Sequence, residues 1–540
     1  MEWPLSPRRI VLTLSLLLAP RCLAGQDRVD SAGSAGAAPA DTAPRAPVVQ
    51  AIQIYREDIF DTDETDGWLA RLLNGLHIRT RASVVRRELL FRAGERYDSA
   101  RVAETARNLR RLGIFRDVEV DSASTPSGLV VWIVTQDGWS TKPELQFRST
   151  GGQEAYSIGL LERNLLGTAT QAAVRFKRDP DRTTTQFSFR QPRLLASRIA
   201  LDLQYHDASD GESMGLELEQ PFYSLSARSS FGVAASSMRG RVLQFREGDP
   251  EPAATWRRRF ALLRLSAARS LRGGPTGYLR VGAGVQLRRD DFVRDSTPGP
   301  FPETITGVLT ANVEWSLARF RVTEGLAAFG RKEDVDMSTT VSAALSLAPK
   351  AFGYERDGIG LAASGRIGSG LGAGFLNLSA AANGLVTAAG LDSGQVRLAA
   401  TLALQPHRRH TAVAHLSLGW QEDPRIGEEF DLGLGAGPRA FGAHAFTGDR
   451  LFFTTAEYRY TLHERLVGLL GVGVAGFIDH GGAWFSGSRR RTGTNAGLGL
   501  RLGQIRSTDA EPARLDLAYR FGNEEKPAGW VFVVGKGWVF

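Results

Sequence analysis

In ARLDLAYRF, residues 513–521, Leu515, Leu517, Tyr519 and Phe521 fall on one side of an extended chain, and Arg514, Asp516 and Arg520 on the other. Successive side chains of a strand point to opposite faces, so this is a ribbon with one apolar and one charged face. The same period of 2 governs RIALDLQYH, residues 198–206, where Ile199, Leu201, Leu203 and Tyr205 oppose Arg198, Asp202, Gln204 and His206. It continues from Lys142 almost to the C-terminus, in runs of roughly ten residues separated by turn residues. A soluble sandwich also alternates, but its open sheets turn their charges to water and need no closure. Roughly 400 residues of such alternation describe a transmembrane antiparallel β-barrel, which by closing pairs every backbone N–H and C=O in hydrocarbon.

Composition agrees with that reading. The 540 residues include 60 Gly and 42% apolar residues, a mixture suited to Gly-rich alternating strands. The net charge of +8 comes from arginines spread along the chain without a basic block, which argues against a nucleic-acid partner. Residues 1–25 have the form of an export signal: Arg8 and Arg9, an apolar run from Ile10 to Ala19, and small residues near Ala24. No other segment approaches the roughly 18 apolar residues of a membrane helix. The single cysteine, Cys22, lies inside the signal, so cleavage leaves a chain without disulfides or zinc-thiolate sites. Residues 26–47, rich in Ala, Ser, Gly and Pro, read as a disordered linker. Residues 48–138 then change pattern. A β-branched strand containing Val48, Ile52 and Ile54 precedes a helix with Val85 and Leu89. A second helix carries the stripe Val102, Ala106, Leu109, Leu112 and stops at Gly113, and FRDVEV and LVVWIVT complete the order β-α-α-β-β of a small α+β module.

That order, with RRELLFRAGERYDSARVAETARNLRRLGIFRDVEV, resembles a POTRA domain, the periplasmic module of the BamA/TamA superfamily. Residues 139–540 extend the resemblance: LERNLLGTATQAAVRF (161–176) is similar to an early-strand motif of that superfamily, FIDHGGAW (477–484) to its Phe-x-Asp-x-Gly strand, GLGLR (497–501) to its Gly-rich strand and RLDLAY (514–519) to its penultimate strand. GKGWVF places Gly535, Trp538 and Phe540 at the spacing of the C-terminal insertion signal, with Val533 at its usually polar position. On this reading Trp530, Phe532, Trp538 and Phe540 share a lipid-facing aromatic face. The resemblance implies about 16 strands, whereas counting runs directly gives about twenty.

In AGPRAFGAHAFTG, residues 436–448, Arg439 is the one formal charge, and Pro438, Arg439, Ala440 and Phe441 occupy the place of the superfamily's Val-Arg-Gly-Phe/Tyr motif. The resemblance implies that this loop folds into the lumen and that its arginine meets carboxylates on the wall. Glu457 falls on the charged face of its strand, and Asp479 shares a face with Gly471, Gly473 and Ala475, whose small side chains leave room for the loop. Alanine at 440 gives up glycine's ready access to positive φ.

By resemblance the chain is an outer-membrane insertion or assembly factor with its POTRA domain in the periplasm. Its partners would be unfolded outer-membrane protein clients, bilayer lipid, lipopolysaccharide and a periplasmic protein at the POTRA domain, with no cofactor. The alternatives are a polypeptide-translocating pore of the two-partner secretion type and a plain porin or structural barrel. DTDETDG (61–67) lacks the glycine position and distal glutamate of a calcium loop; His407, His410 and His415 lack helical ligand spacing; the glycines from Gly368 have no βαβ setting. With no Gly-x-Ser-x-Gly elbow either, neither a metal site nor an enzyme is expected. Gly138, between the module and the barrel, predicts a hinge, with Trp139 at the membrane interface.

Overall fold

The computed structural model describes residues 47–60, 68–126, 128–150, 153–297, 299–506, 511–522 and 526–538. The segments read as an export signal and a linker, up to residue 46, the acidic stretch 61–67 and Phe540 lie outside the described residues. The module runs β1 (Val49–Glu57), α1 (Trp68–Leu76), α2 (Ala82–Glu88), α3 (Ser99–Arg111), β2 (Phe115–Thr125) and β3 (Gly128–Asp137). It has one helix more than the β-α-α-β-β reading. β3 lies between β1, to which it is parallel, and β2, to which it is antiparallel. Asp98 caps α3 by accepting from the N–H groups of Ala100 and Arg101, at 2.9 and 3.2 Å, and Gly113 ends the turn beyond it at φ +66. Val85, Val102, Leu109, Val131 and Ile133 form part of the buried core between the helices and the sheet.

The rest is a closed ring of twenty strands. The direct count is right and the sixteen implied by resemblance is not. Between Gly358 and His407, where short runs could be taken for halves of longer strands, the chain forms three separate strands, Gly358–Leu371, Gly374–Thr387 and Gly390–His407. Their alternation is weak along the chain because Ala, Gly and Ser recur on both faces, as at Gly360, Ala362 and Ser364 inward and Ala363, Ala380 and Ala382 outward. Outward positions such as Leu263, Val313, Leu345, Ile478, Leu498 and Leu517 are exposed, an apolar belt that belongs in hydrocarbon. No described helix is long and apolar enough to cross a membrane.

Two segments leave the ring. One is a hairpin, Phe320–Glu324 paired with Lys332–Asp336, between the strands Ile305–Leu317 and Thr339–Ala348. The other is the long loop between His410–Glu422 and Arg450–Leu466, pinched by a short pair, Phe430–Leu432 with Phe446–Gly448. Because strands alternate in direction from Thr141, the hairpin leaves the ring at the module end and the loop at the far end.

The border read as a hinge at Gly138 is bridged at several turns. The Arg81 N–H donates to the Gly167 carbonyl at 2.9 Å, and Asn164, of the LERNLLG motif, donates to Thr80 at 2.8 Å. Thr80 in turn donates its N–H to the buried Asp137 carboxylate at 2.7 Å. Arg193 pairs with Glu88 at 2.7 Å, and the Leu225 N–H donates to Glu104 at 2.6 Å. Trp139 packs with Ile59, Phe60 and Leu469. Glycine gives the link freedom, but contacts on both sides of it hold the module to the barrel.

A lumenal arginine clasp and a groove at the seam

Strand register builds the wall on which the loop sits. Thr455 pairs with Asp479, Asp479 with Asn495, and Asn495 with Arg520, so one row crosses four strands on their inner face. Two residues toward the module end on each strand, the row is Glu457, Phe477, Gly497 and Ala518; the next is Arg459, Ala475, Gly499 and Asp516. The period of 2 therefore puts Glu457, Asp479 and Asp516 on the same inner surface, in three successive rows that an inserted side chain can bridge.

Arg439 enters this surface from the loop and is 3% exposed. Its Nε and Nη2 donate to the two oxygens of Asp479 at 2.8 and 3.0 Å, a bidentate pair. Its Nη1 donates to Glu457 and Asp516, each at 3.1 Å, and the guanidinium lies 3.6 Å from the centre of the Phe477 ring. Three further arginines share the carboxylates: Arg459 donates to Glu457 at 2.6 Å, Arg501 reaches Asp516 at 2.5 Å and Glu457 at 2.9 Å, and Arg514 lies 3.7 Å from Asp516. Asp479 differs from the other two carboxylates. Its cation is Arg439, supplemented by neutral donors from Thr455 at 2.7 Å and Asn495 at 2.8 Å.

The rest of the motif is packed as closely. Phe441 is 1% exposed and its ring fills the space over Gly493, where a methyl group would overlap it. The Ala440 N–H donates to Asn495 at 3.3 Å and its carbonyl accepts from Arg520 at 3.2 Å. The Phe441 N–H closes a turn onto the Pro438 carbonyl at 3.3 Å. Alanine is accommodated at 440 because the left-handed positions fall elsewhere, at Gly433, Gly435 and Gly437, with φ of 137, 113 and 77. At the loop's other shoulder His444 stacks on Phe245 and bonds Asp431 at 2.5 Å and Asp181 at 3.0 Å. Burial lowers its pKa, but the two carboxylates more than offset this and raise it to about 9.

Two expectations are corrected. Gly471 and Gly473 do leave room, but Phe329 of the module-end hairpin fills it together with Gly503, while the loop takes the space over Gly493. Trp530 and Phe532 are 66% and 54% exposed on the lipid side, whereas Trp538 turns into the lumen. There it packs, like Leu326, Val335 and Met337, against the cluster of Phe375, Ala403 and Val413, and the Arg459 guanidinium lies 3.4 Å from its ring centre. Strand pairing ends at Lys536, and Gly537 (φ +64) turns Trp538 off the outer face. Gly535 stays on the inner face, where a side chain would meet Arg514.

The last strand, Gly529–Lys536, closes the ring beside the first, Thr141–Thr150. Among the described residues this is the sparsest contact between neighbours in the ring. At its module end is a cavity of about 740 Å³, lined among others by Phe60, Leu145, Phe147, Leu470, Leu502 and Val534.

The sequence reading missed Asp516, Arg501, Arg459, Arg514, Asn495 and the clasp around His444. Asp516 was legible as an inward residue, but nothing along the chain sets its height beside Glu457, which only strand register fixes.

No protein-family model matches the chain. A stretch of 164 residues is 27% identical to the outer membrane protein assembly factor BamA of Neisseria meningitidis serogroup B, covering 27% of this chain and 20% of that relative. The chain thus matches about a fifth of the relative's length. In structure it is similar to BamA of Haemophilus ducreyi lacking POTRA domains 1–3, at a TM-score of 0.41 and 12% identity over 90% of this chain and 84% of that one. It is also similar to CdiB from Escherichia coli, at a TM-score of 0.45 and 12% identity over 91% and 76%. The resemblance to the BamA/TamA superfamily thus has a relative in sequence besides its motifs.

Proposed function

We propose that the chain is an outer-membrane barrel of the BamA/TamA type that assembles client β-barrels, its module serving as a POTRA domain in the periplasm. The observation that carries this reading is the Arg439 clasp. It ties one loop to Arg450–Leu466, Leu470–Trp484 and Ala513–Phe521, on the last-strand side of the seam, whereas the same loop meets the first-strand side only through its shoulder, where the Ala443 N–H donates to Gln153 at 2.7 Å and His444 bonds Asp181 at 3.0 Å. With the buried clasp on one side of a sparse seam and only two loop-shoulder contacts on the other, the barrel can part there without losing its shape. The backbone groups freed on the first strand would then template an extended client strand, with apolar client side chains in the groove beside it. Outer-membrane clients would meet the module first, through the edge strands β1 and β2. Bilayer lipid and lipopolysaccharide surround the apolar belt.

A second reading, passage of a polypeptide through the lumen, is favoured by the small, exposed inner side chains of Gly358–Leu371 and Gly374–Thr387. Depletion of the protein followed by quantitative mass spectrometry of the outer membrane separates the two. Broad loss of folded barrels, restored by the parent chain and not by Arg439→Ala, supports assembly. Unchanged barrels with loss of one secreted polypeptide support translocation and overturn assembly.

A further inference from the structure

We infer that the hairpin Phe320–Asp336 is a releasable gate on a water-filled path through the barrel. The inference rests on the barrel's geometry and stands or falls separately from the client reading.

A ring of eight strands can be filled by its own side chains, whereas rings of about 16 to 18 leave an aqueous channel. Twenty strands therefore enclose space that inserted segments must fill or water must occupy. They fill it unevenly here. On Arg450–Leu466, Leu470–Trp484 and Ala513–Phe521 the inward residues from Glu457 to Asp516 are buried under the loop. Across the lumen the inward Ser364, Ser379, Ala381 and Arg397 are exposed, and a cavity of about 390 Å³ runs between them. That half of the lumen is open to solvent.

Nearer the module the same wall is covered. Gly368, Phe375, Ala403 and Val413 are buried, the last three beneath Leu326, Val335 and Met337 of the hairpin. The hairpin leaves the ring at Leu317 and rejoins it at Thr339, yet its tip reaches the far side of five intervening strands, where Phe329 sits over Gly471, Gly473 and Gly503. Along the way Arg321 donates to the Gly372 and Gly374 carbonyls at 3.0 and 2.9 Å, and Gln405 donates to the Glu324 carbonyl at 3.0 Å. The open half of the lumen thus ends on the hairpin.

The hairpin's other face is tied to the module. Arg110 holds both oxygens of Asp334 at 2.6 and 2.8 Å, Lys332 donates to Glu119 at 2.7 Å, and Arg331 donates to the Phe115 carbonyl at 3.1 Å. Its own turn is built to survive release. The Glu333 carboxylate accepts the N–H groups of Leu326, Ala327 and Ala328 at 3.1, 2.9 and 2.8 Å, so the tip keeps its shape without the wall. A preformed tip, seated by Phe329 in glycine slots and held to the wall by polar contacts that include the Asp336–Arg366 and Glu324–Arg408 pairs, with further ion pairs running to the module, can withdraw as a unit when the module moves.

Single-channel recording of the full-length protein in planar bilayers tests this. The parent should be nearly silent, and a variant with residues 319–337 replaced by a Gly-Ser-Gly turn should show sustained porin-like conductance. Joining Phe329→Cys to Gly471→Cys, in a chain whose single native cysteine is Cys22, should hold the pore silent when oxidised and, with the seating ring gone, give openings well above the parental level on reduction. A hairpin-replacement variant that is folded, as judged by heat-modifiable mobility, and still silent overturns the gate. If that variant fails to fold, the disulfide pair decides: conductance unaffected by oxidation overturns the gate equally.

Discussion

The loop and the hairpin enter the same lumen from opposite ends and dock on the same two strands, Leu470–Trp484 and Gly493–Gln504, by different chemistry. The loop brings a cation into a buried set of carboxylates, and Arg439, Glu457, Asp479 and Asp516 are all nearly inaccessible. The hairpin brings an aromatic ring into glycine slots and places its ion pairs at a wetter rim, where the Arg110 and Asp334 side chains are 16% and 18% exposed. A buried charge left without its partner costs several kcal/mol, because water cannot replace the lost contact. A half-buried ring or a rim ion pair is replaced by water or salt at far lower cost. The same barrel thus holds a fixed brace at one end and a seat built for release at the other.

Arg439→Ala tests that contrast most severely. It should cost about 3–5 kcal/mol, because Asp479 loses its cation while Arg459, Arg501 and Arg514 still serve Glu457 and Asp516. The measurement is protease cleavage between residues 433 and 448 on intact cells, expected in the variant and not in the parent. Adding Asp479→Asn to Arg439→Ala should recover part of the loss, since the orphaned charge is then gone. No recovery would place the penalty in packing against Phe477.

Phe329→Ala should weaken hairpin docking by about 1–2 kcal/mol, the order of a partly buried aromatic ring. Hydrogen exchange of residues 320–336 should rise while that of 436–448 does not change. If both segments loosen together, the two seats are one cooperative unit and the contrast fails.

Asp334→Asn should do less, about 1 kcal/mol, and the difference from the parent should shrink in high salt. A salt-independent effect would mean that the Arg110 pair is buried in solution.

The smallest expected effect is at the loop's shoulder. The pKa of His444, about 9, exceeds its ordinary 6.5, so the protonated ring stabilises the folded loop in full below about pH 6.5 and loses that contribution as pH rises through 9. Hydrogen exchange near residue 444, corrected for the intrinsic rate, should rise between pH 8 and 10 in the parent; His444→Gln should show no such step. Arg439 keeps its charge throughout this range, so the brace itself should hold.

How much of this was legible along the chain depends on whether the signal is local. Strand periodicity is local, and it placed Asp516 opposite Leu515 and Leu517, and Glu457 opposite Tyr458. Arg439 stood out because an uncharged loop carried one guanidinium. The partner Asp516 could not be read, since its closeness to Arg439 depends on register accumulated across Gly493–Gln504. The hairpin could not be read either, because Phe320–Glu324 and Lys332–Asp336 look in one dimension like two more short strands of the ring. Gly471 and Gly473 announced a space without naming its occupant, and Trp538 had the right spacing for an outer aromatic and the wrong side.

What the sequence by itself determined is the barrel wall: a period of 2 dictates which side chains meet lipid and which meet the lumen, and glycines mark where the wall is thin. Only the tertiary structure decided what enters the lumen and where it stops. The heights of Asp479, Glu457 and Asp516 on neighbouring strands come from hydrogen-bond register, and closure into twenty strands sets a lumen wide enough for two inserted segments. Both are properties of pairing between residues far apart along the chain.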